Sequence, residues 1–222
     1  MPNEEISALL EVKLTQGREF RDMEIRALVD ESPDEQIVEG YATTFNQPYL
    51  LWEEEGYHVY EQVDARAFDG CDMGDVIMQY DHEGRVFARI SNGTLTVTPD
   101  ENGLKVRALL GGTELGRQLY QEIRGGYTNK MSFSFIVAED NREIEENKET
   151  KEVTITRTIT RISKLYDVSA VSLPANPGTN IAARNFGEGV IAEVKAERQR
   201  AAEEEAKRQA LISEIRKSLR KE

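Results

Sequence analysis

The chain has 222 residues, room for one moderate domain with an appendage or for two small ones, and its 28 Lys and Arg against 41 Asp and Glu leave a net charge of −13. An acidic surface of that kind does not wrap duplex nucleic acid, and no apolar run approaches the roughly 18 residues needed to span a bilayer, so neither nucleic acid nor membrane is expected as a partner. Protein or peptide is the partner class that remains. Glu4, Glu5 and Glu11 interrupt the first twenty residues, which is the wrong layout for a signal peptide, so export is not expected. One cysteine, Cys71, and two histidines, His58 and His82, cannot build a zinc site of ordinary spacing or an internal disulfide. No phosphate-binding GxxxxGK[ST] loop is present, so no metal and no cofactor is expected.

Residues 1–36 are polar and acidic and close on the turn signal Pro33-Asp34. A β-rich body begins at Ile37–Phe45 and continues through strand candidates Val59–Val63, Val76–Tyr80, Arg85–Ser91, Thr94–Thr98 and Leu104–Leu110. The last two alternate in hydrophobicity and are joined by Pro99-Asp100-Glu101-Asn102-Gly103, which is turn chemistry, so they form a hairpin. One helix follows: Thr113 can cap it, Leu115, Leu119 and Ile123 recur every four residues, and Gly125-Gly126 ends it.

Lys130–Ala138 then alternates, with Met131, Phe133, Phe135 and Val137 on one face and Ser132, Ser134 and Ile136 on the other. The charged stretch Glu139–Glu152 reads as a mobile surface connection. Two more strands are expected at Val153–Ile162 and Leu165–Leu173, and Pro174-Ala175-Asn176-Pro177-Gly178 closes the body, with a boundary near Phe186. Residues 188–222 carry +1 where the rest carries −14. Without proline and rich in Ala, Glu, Lys and Arg, they read as a long helix with a thin apolar stripe at Leu211, Ile215 and Leu219. The chain thus divides into a polar segment 1–36, a body 37–186 and a helical tail 187–222.

Three residues could carry chemistry in such a body. His82 follows an apolar strand in Gln79-Tyr80-Asp81-His82-Glu83-Gly84-Arg85, where an imidazole can reach into a cleft as a general base, although a lone histidine is more often a surface residue. Ser132 lies on the strand face opposite Met131, Phe133 and Phe135, so its hydroxyl projects away from a core built on those three; Ser134 shares its face. Asp167, in Lys164-Leu165-Tyr166-Asp167-Val168-Ser169, falls by alternation on the face of Leu165, Ser169 and Val171, where a buried carboxylate needs a partner. A protonated ring nitrogen of histidine is one candidate and Arg157 or Arg161 is another. Cys71 with His82 is a weaker nucleophile and base pair, because Cys71 has no electropositive neighbours in sequence.

Taken in order, Gly40-Tyr41-Ala42-Thr43-Thr44-Phe45-Asn46, Tyr80-Asp81-His82 with the hairpin after it, Met131-Ser132-Phe133-Ser134-Phe135, Arg157-Thr158-Ile159 and Leu165-Tyr166-Asp167-Val168-Ser169-Ala170-Val171-Ser172-Leu173-Pro174-Ala175-Asn176-Pro177 resemble the prohead proteases of tailed bacteriophages. The resemblance covers roughly Ile37 to Arg184. It implies an α+β fold like that of the herpesvirus assemblins, with a mainly antiparallel, barrel-like β body, a few helices and the helical tail. It further implies a serine endopeptidase with Ser132 as nucleophile, His82 as general base and Asp167 in the place of the family's histidine-orienting acid. One departure is Ser134, where the family often has glycine.

The substrates implied are the scaffolding segment of the major capsid protein or a separate scaffold, and the protease itself, inside the assembling prohead in the host cytoplasm. Assemblin-type enzymes depend on dimerisation, so a homo-oligomer is implied too. Backbone N–H groups near Gly125-Gly126, or an arginine, are the candidates for the oxyanion. The rival readings are a non-catalytic assembly or scaffolding protein, against which the intact His82 and Ser132 speak, a glycosidase with paired carboxylates, and a β module that captures peptides without cutting them.

Overall fold

Alternation explains much of the sheet directly. In one strand Leu104, Val106 and Ala108 are fully buried, while Lys105 and Arg107 between them point outward and reach Glu39 of the neighbouring strand at 3.1 and 3.4 Å. The computed structural model describes residues 18–27, 36–171 and 181–218. Its strands are β1 (Glu19–Ala27), β2 (Ile37–Thr44), β3 (Tyr49–Glu54), β4 (Tyr57–Val63), β5 (Ile77–Tyr80), β6 (Glu83–Arg89), β7 (Leu95–Pro99), β8 (Gly103–Leu109), β9 (Lys130–Glu146) and β10 (Val153–Val171). The helices are α1 (Glu114–Arg124) and α2 (Ile181–Ser218).

The strands run in the order β3-β4-β10-β9-β1-β2-β8-β7, with β5 and β6 attached through β10, so this α+β fold carries a large, mainly antiparallel sheet that stays open rather than closing into a barrel among the described residues. The exceptions to antiparallel pairing involve β10, which lies parallel to both β4 and β5. A crossover of many residues is needed to place strands this way, and β10 thereby joins segments far apart in the chain.

Several expectations are corrected here. Glu139–Glu152 is not a loose connection: β9 continues to Glu146 and pairs with β10 along the whole arm. Its charged residues find partners across the ladder, Asp140 from Arg157 at 2.7 Å and Glu139 from Arg161 at 2.7 Å, so charge there supports pairing instead of preventing it. The two strands expected at 153–162 and 165–173 form one, β10, bent by single extra residues at Thr160, Ser163 and Tyr166. The polar stretch before residue 37 contains β1, inserted between β9 and β2. Ser172, Leu173 and the Pro174–Gly178 segment lie outside the described residues.

The 99–103 hairpin forms as expected, with Asp100 Oδ1 accepting from the amides of Asn102 and Gly103 at 2.8 and 3.1 Å. Thr113 Oγ1 caps α1 by accepting from Gly116 N at 3.0 Å, and Gly126 ends it at φ +74°. Leu119, Tyr120 and Ile123 are buried, whereas Leu115 is exposed. The helix approaches the Leu110 carbonyl so closely at Gly116 that a Cβ there would meet it at 2.2 Å, which centres the buried face on Gly116 and turns Leu115 outward.

A large core unites β2, β5, β8, β9, β10 and α1. A second cluster lies under α2, where Val190, Ile191 and Val194 pack on Leu51, Val59, Val153 and Ile155, with Phe186 and Trp52 at the margin. Beyond Val194 the helix is almost entirely solvated, Leu211 and Ile215 included.

Candidate active site

β5 and β6 are joined by a two-residue turn. Tyr80 pairs with Glu83, and Asp81 and His82 between them both lie in the left-handed region, at φ +49° and +59°. That is the geometry of a type I′ hairpin turn, which usually takes Asn-Gly; Asp and His are among the few other side chains that accept it. The turn is tied to β10 by the Asp81 amide, which donates to the Ala170 carbonyl at 2.9 Å. Its imidazole then lies back along β10, and His82 Nδ1 meets Asp167 Oδ1 at 2.5 Å.

The bulge at Tyr166 aims that carboxylate. Leu165 pairs with Phe135 and Asp167 with Ser134, two positions on β10 against one on β9, so Leu165 enters the apolar core while Asp167 turns to the serine face. Strict alternation, which puts Leu165 and Asp167 on one face, is thereby overturned. Ser169 follows on the same face as Asp167, opposite Ser132 of β9 and Gln79 of β5, and its hydroxyl donates to Asp167 Oδ1 at 2.7 Å.

Ser132 and Ser134 are not solvent-facing. Both are buried, at 1% and 0% exposure, and neither hydroxyl has a hydrogen-bond partner among the described residues. A buried hydroxyl left unpaired costs about 1–3 kcal/mol, so two side by side call for a reason other than stability. Register separates them. The Asp81 amide is bonded at Ala170, which pairs with Met131, and the His82 ring at Asp167, which pairs with Ser134; of the two rungs between them, Val168–Phe133 and Ser169–Ser132, the second belongs to the serine face. Beside Asp167 a cleft of about 500 Å³ opens, with Gln79, Tyr166, Arg18 and Lys164 in its lining.

The alternatives weighed for these residues fall away on contact. Arg157 is committed to Glu19, Glu61 and Asp140, and Arg161 to Glu139, so neither serves Asp167. Burial pushes the Cys71 thiol up to about 11, away from the thiolate a nucleophile needs. His58 sits on β4 beside Glu53 at 3.6 Å and pairs with Thr154, far along β10 from Asp167. The amides of Gly125, Gly126, Tyr127 and Thr128 all donate to carbonyls of α1, which removes that turn as a source of oxyanion donors.

A family model described as caudovirus prohead serine protease matches residues 21–191, well over half of the chain. The chain belongs to that family. The protein is therefore a serine peptidase of the assembling phage prohead, with capsid proteins as its substrate class. The matched span of this prohead protease starts within β1 and ends in α2 at Ile191, one of the residues that dock the helix on the sheet. No curated protein and no solved structure matches the protease. Ser169 is the residue of this cluster that sequence reasoning did not single out. The available signal was its position two residues beyond Asp167, the period at which a strand returns to the same face.

Proposed function

We propose that this prohead protease is a serine endopeptidase whose nucleophile is Ser132, whose general base is His82 and whose orienting acid is Asp167. The observation that carries the reading is the 2.5 Å contact between His82 Nδ1 and Asp167 Oδ1. An ionised carboxylate only accepts, so Nδ1 carries the proton and Nε2 of the neutral ring is the basic nitrogen. Ser132 lies on the serine-face rung between Asp167 and the histidine turn, and that place in the register favours it over Ser134.

The chemistry then follows the triad pattern. Ser132 Oγ attacks the scissile carbonyl carbon while its proton passes to His82 Nε2, and Asp167 stabilises the imidazolium that results. Collapse of the tetrahedral intermediate breaks the C–N bond, and His82 returns the proton to the departing amine. Water, deprotonated by the same imidazole, hydrolyses the acyl-enzyme and restores Ser132. The substrates are the scaffolding segment of the major capsid protein, or a separate scaffold, and the protease itself. The solvated part of α2 supplies the contact with capsid or scaffold helices.

Co-expression of the cognate capsid protein with the wild type or with Ser132→Ala, followed by intact-mass measurement of both chains, tests the assignment. Trimmed chains with the wild type and full-length chains with Ser132→Ala are expected. Trimming that persists in Ser132→Ala and stops in Ser134→Ala would transfer the nucleophile to Ser134. A chain truncated after Arg198 tests the tail: it keeps the docked turns of α2, and its normal incorporation into proheads would remove the tail from the proposal.

A further inference from the structure

We propose that Ser169 is a positioning residue of the catalytic apparatus, holding the Asp167 carboxylate in the orientation that His82 requires and moderating its pull on the imidazolium; this rests on the assignment of His82, Ser132 and Asp167 given above. Ser169 is wholly buried, and its hydroxyl donates to Asp167 Oδ1 at 2.7 Å. The same oxygen receives His82 Nδ1 at 2.5 Å. Two donors therefore converge on one oxygen of a carboxylate that is itself 3% exposed. The arrangement follows from the strand period: Ser169 is two residues beyond Asp167 on β10 and on the same face.

Two consequences separate this role from simple packing. First, the carboxylate needs an anchor other than the ring it orients. The Ser169 hydroxyl comes from the same rigid strand, so it fixes the rotation of the carboxyl group before the histidine turn closes on it. Secondly, a hydroxyl sharing Oδ1 with the imidazole spreads the carboxylate charge over two donors. Without it, the negative charge concentrates on His82 Nδ1–H and favours the imidazolium, which raises the pH at which the base loses its proton. The register adds a third point: Ser169 stands directly across from Ser132 yet gives its proton to Asp167, so the Ser132 hydroxyl is not engaged as an acceptor by its nearest cross-strand neighbour.

The test uses the full chain and a fluorophosphonate, which phosphonylates an activated serine with loss of fluoride and needs no knowledge of the cleavage sequence. Labelling rates are measured from pH 5 to 9 for wild type, Ser169→Ala, Ser169→Thr and Ser169→Cys, with melting curves for each. In Ser169→Ala labelling is expected to slow about tenfold, and the acid limb of its pH profile to move up by about half a pH unit, while the Thr variant recovers most of the rate with the wild-type limb. The Cys variant, close to serine in size but a poor donor, is expected to behave as Ala does, and it carries the test if Ser169→Ala does not fold.

A wild-type rate and limb in Ser169→Ala or Ser169→Cys would overturn the proposal, as would a slower rate with an unmoved limb that Thr does not restore. Failure of the underlying assignment has a different signature. In that case Ser132→Ala still labels, or Asp167→Asn labels as fast as wild type.

Discussion

Arg157 lies over the ring of Phe186 at 4.1 Å while its nitrogens hold Glu19 at 2.7 Å and Glu61 at 2.8 Å. Phe186 belongs to α2, and the two glutamates to β1 and β4, so one guanidinium ties the helix to a buried charge cluster under the sheet. Glu61 is completely buried, and Arg21 and the Tyr49 hydroxyl also bind it. Without Glu61 the buried Arg21 and Arg157 must share Glu19, with Asp140 beside Arg157, and the Tyr49 hydroxyl loses its carboxylate, so Glu61→Ala is expected to cost roughly 3–5 kcal/mol, read as a lowered denaturation midpoint.

Docking of α2 can be followed through Trp52, the chain's single tryptophan. At Gly187 a Cβ would lie 2.5 Å from Trp52 Cβ and Cγ, closer than any real contact allows. Gly187→Ala is expected to lift the first turns of α2 and shift Trp52 emission to longer wavelength. An unchanged spectrum with an unchanged melting temperature would show that the helix does not rest on Trp52 in solution.

Acid should weaken the same cluster. Burial alone would raise the Glu19 carboxyl, but Arg21 and Arg157 beside it hold it below the usual range. A carboxylate depressed in the folded state stabilises fully above its unfolded value, about 4.3, and that contribution is lost as pH falls through the lower folded value. Thermal midpoints should therefore drop steeply below about pH 4 in wild type. Glu19→Gln, less stable at neutral pH, should show a flatter decline; equal slopes would mean that Glu19 does not couple to folding.

Cys71 should be inert. With its thiol pushed up to about 11 by burial, only a small fraction is thiolate at pH 8. Iodoacetamide at that pH is expected to modify it much more slowly than a free cysteine and to leave peptidase activity intact. Rapid loss of activity on alkylation would reopen Cys71 as a participant.

The turn that carries His82 is sensitive to its first residue. Asp81 sits at φ +49°, where a β-branched side chain is strained by roughly 1–3 kcal/mol, so Asp81→Val should lower stability and turnover together. Asp81→Gly, which takes that conformation without strain, should retain the fold. If Asp81→Val keeps full turnover, the turn does not set the position of His82.

Much of this was readable from residues alone, and what was not has identifiable causes. The strand Met131–Phe135 announces itself by its aromatic and serine faces, and the helix at Thr113 by cap and period. β1 does not, because a charged residue, Arg21, occupies one of its buried positions and is tolerated only through Glu19 and Glu61. The outer half of β9 fails the same test, since its charges are matched on β10 across space and not along the chain. No residue in Lys164-Leu165-Tyr166-Asp167 marks a bulge, yet the bulge decides which face the carboxylate takes. The pairing of His82 with Asp167 spans 85 residues. Local spacing left a histidine, Arg157 and Arg161 as candidates for Asp167, and only the resemblance chose among them.

The parallel placement of β10 bears on when the protein becomes competent. Asp167 pairs with Ile77 and Val153 with Tyr57, both far upstream. During synthesis at about 5–20 residues per second, the histidine turn and the serine strand leave the ribosome several seconds before the strand they lean on. Until then β4 and β5 lack their common neighbour and the imidazole has no carboxylate to meet. The His82–Asp167 pair thus cannot form until β10 has been made, so a chain whose synthesis has not passed Asp167 carries parts of the proposed site without its assembled form.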